Sequence, residues 1–507
     1  MNETRCPFDD SHLLEAVELS ALRLLQDGVV ALARVEHDGV RVDVDYLKAS
    51  LEQTSRKCTR LREQLMSDPV WSKWTRRFRD RSKLDSRQQL GEVLFDVLGF
   101  HSEAITTTGR HQVDEAALER VDHPFIRHYL ELAKLEKARG TYLKGIEREV
   151  VYGFVHCSFN LHTVTTYRGS CDSPNLQNIP IRNPEIGKLV RRCFIARDGH
   201  VLVENDFKGI EVGVAACYNR DPNLIAYVRD ETLDMHRDAA MELFFLDRSE
   251  VTKQIRHIAK NSFVFPQFYG DWYLSCARSM VDEIEKRAIK FAGRSFKKHL
   301  ARHGIMSMGA MRSGTDPVAG SFEQHVARVE RLFWEKRFRV YNQWRNRVYR
   351  RYLEDGYFDT HTGFRLEGAL DRKQVVNHPI QGSAFHCLLW SLIEIQRELV
   401  QHKMRSKIVL QVHDSILGDV HVDEVDQYLA IVRDVIERRL RKHWKWIVVP
   451  LRVECEMSPV GGSWFDKREV HVSSDNYAWN DFSGSASDLL RHWTHETKVE
   501  TEEDPER

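Results

Sequence analysis

The chain of 507 residues has no CxxC pair, and its nine cysteines are scattered and odd in number. Disulfide scaffolds and zinc clusters both need closely spaced ligands, so reduced, buried thiols are expected. There is no HExxH among the 24 histidines, so a histidine metal site is not indicated. No segment approaches the roughly 18 apolar residues that a membrane span requires. Met1 is followed by the polar NETRCPFDD, which is no signal peptide. A soluble, cytoplasmic protein with no membrane partner is expected. Net charge is lacking too, with 75 Lys/Arg against 75 Asp/Glu, so composition does not advertise a nucleic-acid binder. The balance is uneven, however. Residues 470–507 carry nine Asp/Glu and three Lys/Arg, net −6, which leaves +6 on the remainder. A mildly basic body is compatible with local patches that meet DNA. Internal repeats are absent as well.

What is present is ordinary globular composition, 42% hydrophobic and 30% charged, at a length that implies several subdomains. Residues 13–39 place apolar side chains three and four apart up to Gly39, which predicts an amphipathic helix. Residues 48–66 repeat that pattern with many Lys/Arg, and 70–150 continue mostly helical. Short β-like runs follow from 151 to 220, ending in HVLVEND at 200–206. Residues 221–350 are helical and strongly basic from Lys286 to Arg351. β signals return at 357–368 and in KIVLQVHDSILGDV, before a helix at 422–444 and the alternating VPLRVECEMS. Residues 470–507 lose periodicity and read as a flexible tail. The expected class is α+β, with helical insertions around a small sheet.

Two carboxylates end β-like segments: Asp206 after HVLVEN, and Asp414 inside LQVHDSIL. Strand ends hold side chains rigidly, and two converging aspartates can bind paired divalent ions for an in-line phosphoryl displacement. Alone, each aspartate is more simply a turn former. In IRHIAKNSFVFPQFYG, Arg256 and Lys260 stand four apart, and so do Phe265 and Tyr269. A cationic stripe beside aromatic rings can hold a triphosphate and stack a base, although a surface pair over an aromatic core reads equally well in isolation.

The order of the segments narrows the reading. TTYRGSCDSPNLQNIP, DFKGIEVGVAA, RHIAKNSFVFPQFYG, NHPIQGSAFH and LQVHDS follow one another along the chain. So do GVRVDVDYL, QLGEVLFDVLGF, TTTGR (106–110), GTYL, VRRCFIA and GYFDTHTGFR. Together they resemble the successive motifs of family A DNA polymerases, the bacterial DNA polymerase I group and its phage relatives, from about residue 12 to Glu469. The resemblance implies a right hand with a small antiparallel palm sheet and helical thumb and fingers. The expected division is an N-terminal segment at 1–45, thumb at 46–150, palm at 151–220, fingers at 221–355, palm again at 356–469, and an acidic tail at 470–507. It further implies a template-directed DNA polymerase that extends a primer with dNTPs, uses two Mg2+ ions (with Mn2+ as a substitute), and works as a monomer on primer–template DNA. By position, Asp206 and Asp414 match the catalytic aspartates, and the Phe207 carbonyl matches a further metal ligand. Arg256, Lys260 and His236 match phosphate contacts, with Lys260 also a proton donor to the leaving group. Glu211 matches the residue that excludes a ribose 2′-oxygen. Tyr269 matches the tyrosine beside the templating position, and Phe265, as the sugar-facing aromatic without a phenolic hydroxyl, implies discrimination against dideoxynucleotides, as in relatives with Phe. Arg168, Gln177, Asn377, Gln381 and His413 match contacts to primer, template or the terminal pair.

Three departures stand out. The family usually has eight steps from the lysine to the tyrosine, whereas Lys260 to Tyr269 is nine. At about 100° per residue an unbroken helix would carry Tyr269 to the opposite face. Pro266 also lacks a backbone donor, so a bulge or kink between Asn261 and Pro266 is expected, and the competing register would present Val264 and Phe268. Ser415 stands where many relatives have glutamate, which implies activity with altered metal preference. Val212 and Gly213 replace the usual Leu-Arg, a change the sequence does not explain. Because the segment starts near the start of the polymerase module, no 3′–5′ exonuclease is expected in it, and a separate proofreading or processivity partner is left open. The competing functions are a single-subunit RNA polymerase relative, opposed by Glu211, PNLQNIP and NHPIQG, and a non-catalytic DNA-binding scaffold, opposed by the two aspartates.

Overall fold

In the computed structural model, residues 11–101, 110–179, 183–312, 314, 316–473, 476–479, 482–491 and 493 are described. The TTTGR segment, apart from Arg110, and the tail beyond Trp493 lie outside the described residues.

Helix α1 (Ser11–Asp38) follows the predicted spacing. Ala21, Leu24, Ala31, Leu32 and Val35 are buried, while Leu22, Val29 and Val30 face outward. It stops at Gly39, whose N–H reaches the Val35 carbonyl at 3.0 Å with φ +60°. A Cβ at that glycine would lie 2.7 Å from the His156 ring. Helix α2 (Val44–Ser67) is capped by Asp43, which accepts from the Tyr46 N–H at 2.9 Å. It enters a helical lobe with its own core of Cys58, Leu65, Trp74, Leu90 and Phe125. That lobe includes α3 (Pro124–Lys137) and occupies the stretch expected to form the thumb.

Beyond it come α4 (Ile210–Asn219), α5 (Met235–Phe244), α6 (Lys253–Ala259), α7 (Tyr273–Lys286), the 30-residue α8 (Arg372–Gln401) and α9 (Val425–Arg433). The basic stretch at 286–351 is helical in part, at Phe322–Leu332 and Arg339–Asp355, and buries Phe322, Phe333, Trp334, Phe338 and Tyr341 in the main core. Helix α8 runs through the centre of the molecule, and α1 packs against it. The thumb touches the fingers through ion pairs from Arg120 to Asp282 (3.0 Å) and from Lys286 to Glu119 (2.7 Å).

The palm sheet has seven strands: β1 (His200–Phe207), β2 (Lys407–Val412), β3 (Ser415–His421), β4 (Val453–Met457), β5 (Arg468–Ser473), β6 (Asn476–Trp479) and β7 (Phe482–Gly484). Their order is β2-β3-β1-β4-β5-β6-β7, and every pair is antiparallel. Strand β1 is central and buries Val201, Leu202 and Val203 completely, as an apolar run covered on both faces must. The flexible tail expected from residue 470 does not begin there. Strands β5, β6 and β7 extend the sheet there, and Ala486, Leu489, Leu490 and Trp493 are buried. The Asp426 carboxylate of α9 fastens this end by accepting from the Ala486 N–H at 2.8 Å and from the Ser487 hydroxyl at 2.5 Å. Strands of three to six residues leave too little alternation to be read from the sequence.

A Cβ added to Gly382 of α8 would meet the Thr166 carbonyl oxygen at 2.4 Å, and a backbone atom cannot swing aside. Gly382→Ala is therefore expected to lower stability by about 1–3 kcal/mol, read as a fall in the thermal unfolding midpoint. The thumb–fingers ion pairs are largely exposed, so salt should loosen them. Small-angle scattering at ~1 M salt, where the Debye length is about 3 Å, is expected to give a larger radius of gyration than at low salt.

Candidate functional site

The central strand β1 carries Asp206 to the floor of the cleft, and the β2–β3 hairpin brings Asp414 beside it. Val412 pairs with Ser415, so His413 and Asp414 form a two-residue turn, and Ser415 faces Asp206 in register. The Phe207 N–H donates to the Asp414 carbonyl at 3.1 Å, which locks the two segments together. The turn requires a positive φ at one residue, and His413 takes it at 51° at a cost of order 1 kcal/mol. A hydrogen-bond relay holds it there. Gln177 Nε2 donates to Gln411 Oε1 at 2.7 Å, and Gln411 Nε2 donates to the His413 carbonyl at 2.7 Å.

Burial pushes the Asp206 carboxyl up to about 7, reinforced by Asp414 and then by Glu204, Glu454 and Glu456. Burial also raises Asp414, opposed by Arg168 and His413. Arg168 bridges Asp414 and Glu211 at 3.4 Å each, whereas Asp206 has no ion pair among the described residues. Crowded acid oxygens short of positive charge fit a hard divalent cation. Among the described residues no three His, Cys, Asp or Glu side chains converge as a metal site. A magnesium-like ion bound through one or two carboxylates, keeping waters and taking substrate oxygens, needs no third.

Opposite stands the fingers helix. α6 breaks into a π turn at Lys260–Val264 and resumes as a short helix at Phe265–Phe268 with Pro266 in its first turn. The predicted bulge is therefore present. Its extra residue lets nine steps do the work of eight, and Pro266 sits where the broken ladder asks no donor of it. Phe268 borders the same cavity but packs mainly on Phe333, Trp334, Phe338 and Tyr341, and Val264 is fully buried away from it, so the competing Val264–Phe268 face is not presented as a pair. Phe265 and Tyr269 line a cavity of about 190 Å³ together with Glu211, Asn377, Gln381 and Asp414. The Tyr269 hydroxyl donates to Glu211, and Asn377 Nδ2 donates to the Tyr269 carbonyl at 3.0 Å. Lys260 lies 5.1 Å above the Phe265 ring, and His236 meets that ring edge-on at 5.4 Å. Arg256 Nε donates to Asp234 at 2.6 Å. Burial, with Arg256 and Lys260 nearby, lowers His236 to about 4, so its ring is neutral at pH 7.

A sequence model of the family described as DNA polymerase family A matches residues 48–466. The chain belongs to DNA polymerase family A. Members of this family use divalent metal ions. The chain is 28% identical over 454 residues to DNA polymerase I of Chloroflexus aurantiacus, covering 87% of this chain and 42% of that protein. It is 30% identical over 451 residues to the thermostable DNA polymerase I of Thermus thermophilus, covering 86% and 47%. This family A chain thus spans about half the length of the curated relatives it matches. In structure it is similar to the POL domain of Pol1 from M. smegmatis in complex with DNA primer-template and dNTP. The TM-score is 0.67 at 26% identity, over 89% of this chain and 70% of that one.

The fold brings nearly all the sequence-predicted residues to one cleft. Gln177 is the exception: it is buried beneath the hairpin and bonded to Gln411. At Gly213 a Cβ would come within 2.8 Å of Leu451 Cδ2, a side-chain end that can move, so the structure gives no firm reason for glycine there. Sequence reading missed Asp234, which orients Arg256, and Glu204, whose carboxylate accepts from the Ser415 hydroxyl and the Trp464 indole at 2.8 Å each. The signal for Glu204 was a charged residue two before Asp206 in an otherwise apolar strand.

Metal-free protein at pH 8 should gain stability from Asp206→Asn, because a like-charge contact is relieved. Adding Mn2+ at about 100 times its Kd should stabilise wild type by about 2.7 kcal/mol and leave that variant unmoved, as calorimetry reads directly.

Proposed function

We propose that this chain extends the 3′ end of a DNA primer along a template, joining dNTPs and releasing pyrophosphate. One observation carries the reading: Asp206 and Asp414 stand side by side across a single cleft from the Arg256–Lys260–His236 row, with Glu211 and Tyr269 between. A scaffold that only bound DNA would have no use for two repelling carboxylates at the cleft floor.

Two Mg2+ ions, or Mn2+ in their place, held by Asp206, Asp414 and the Phe207 carbonyl, would supply activation of the primer hydroxyl and charge neutralisation at the leaving pyrophosphate. Arg256 and Lys260 bind the triphosphate, one turn apart on one helix face. Asp234 fixes the Arg256 guanidinium, so little freedom is lost on binding. His236, being neutral, can accept or donate a hydrogen bond to phosphate but adds no charge. Lys260 is placed to give a proton to the departing oxygen. Glu211, held by the Tyr269 hydroxyl and Arg168, fills the space a 2′-hydroxyl would need. Phe265 faces the sugar and Tyr269 the templating position. Arg168 and His413 meet the primer end, and Asn377 and Gln381 reach the minor groove of the new pair. Gln177 serves the same end indirectly, by holding the His413 turn.

Primer extension on a labelled duplex tests the reading. Asp206→Asn should lose at least about 10³-fold in rate, ~4 kcal/mol of barrier, while duplex binding persists. Ribonucleotide incorporation without a primer by wild type would instead favour the RNA polymerase reading. Phe265→Tyr should raise dideoxynucleotide use by about tenfold or more, the worth of one hydrogen bond of ~1.4 kcal/mol. Equal use of both sugars by wild type would remove Phe265 from the sugar face.

A further inference from the structure

Lys467 stands one residue past the matched family segment, and its side chain is only 3% exposed. Its ammonium lies between two carboxylates, bonded to Glu204 of β1 and 2.6 Å from Glu456 of β4. Those two glutamates are direct cross-strand partners on one face of the sheet, an arrangement that is repulsive unless a cation separates them. Glu204 has further donors. The Trp464 indole N–H bonds one oxygen at 2.8 Å, and the Ser415 hydroxyl bonds the other at 2.8 Å. Ser415 follows Asp414 in the chain and faces Asp206 across the strand pair. Its hydroxyl also lies 2.9 Å from the Val412 carbonyl, but the charged acceptor is the stronger one. The relay from Lys467 through Glu204 to Ser415 thus ends at the base of the turn in which His413 holds φ 51° and Asp414 is presented.

We infer that Lys467 is a positioning residue for the catalytic aspartates: it fixes the Glu204 carboxylate, which anchors Ser415 and with it the turn that carries Asp414. Without the ammonium, Glu204 and Glu456 lose the cation bonded between them and keep only the Arg191 guanidinium, which acts on both without a hydrogen bond to either. Glu204 must then turn away, Ser415 loses its charged acceptor, and the turn is left to relax. The inference rests on the polymerase reading for its rate measurement, but not for its metal-binding one.

The experiment compares wild type with K467M, K467R, S415A and the K467M/S415A pair, on saturating primer–template in single-turnover mode. K467M should lose about 10–100-fold in incorporation rate, as loss of a group that orients a metal ligand does. Its DNA Kd and dNTP KM should stay within about twofold of wild type. K467R should recover most of the rate, because it keeps the buried charge. S415A should lower the same parameter and, with no change of charge, weaken Mn2+ binding to the DNA-free protein by about tenfold in electron paramagnetic resonance titration. The pair should be no worse than K467M alone, since both act along one relay. A wild-type rate in K467M, equal loss of rate and DNA affinity, no recovery in K467R, or additive losses in the pair would each overturn the inference. If K467M does not fold, S415A decides, and wild-type rate and Mn2+ affinity there overturn it. If wild type itself extends no primer, the polymerase reading fails, and unchanged Mn2+ affinity in S415A then rejects the positioning role by itself.

Discussion

Two carboxylates forced into company are the constraint around which the molecule is arranged. Like charges a few ångströms apart near a protein surface repel by about 4 kcal/mol, and burial adds to the cost. A free chain would keep Asp206 and Asp414 apart. The fold does not allow it, because one sits at the end of the central palm strand and the other in the turn of the adjoining hairpin. Seven registered pairs between β1 and β3 fix their separation. The surrounding protein supplies only partial relief. Arg168 reaches Asp414, while Lys467 is occupied with Glu204 and Glu456. The unmet demand for positive charge is what suits the place to a cation.

The fingers answer the same demand from the other side of the cleft. Arg256 and Lys260 project cations into it, and two different local devices keep them aimed. Asp234 accepts from Arg256, and the π turn after Lys260 rotates the rest of the helix so that Phe265 and Tyr269 share its face. A π turn costs backbone hydrogen-bond geometry, and it persists because the aromatic core of Phe263, Phe268, Phe333 and Phe338 clamps both ends. Pro266, which would break a continuous helix, is harmless once the ladder is already interrupted. The Tyr269–Glu211 and Asn377–Tyr269 bonds then tie fingers to palm across the cavity. Helix α8 contributes Asn377 and Gln381 from its first turns and is held close to the Arg168 loop only because residue 382 is glycine.

Much of this was legible in the residues. Helix α1 and its stop at Gly39 follow from apolar spacing and a terminal glycine, and the nine-residue step from Lys260 demanded a bulge on helical geometry alone. The strands that bear Asp206 and Asp414 announced themselves as apolar runs ending in acid. Strands β5, β6 and β7 did not, because each is only three to six residues long, with too few positions for a period to emerge. Gln177 was read as a DNA contact from its motif, yet its amide is spent on Gln411 beneath the hairpin. Such a partner is 234 residues away in the chain and leaves no local trace. Lys467 escaped for the same reason, its partner Glu204 lying 263 residues away.

By itself, then, the order of residues settled the local matters: where helices begin and stop, which strands are apolar, that the fingers helix cannot be regular, and which family the motifs belong to. These depend on spacings of a few residues, where backbone geometry and side-chain type act directly. Only the tertiary structure decided which charges face one another, which polar groups are consumed inside the fold, and which remain free at the cleft. Those outcomes depend on strand register and on burial. Both are properties of distant segments packed together, and neither is encoded in any short stretch of chain.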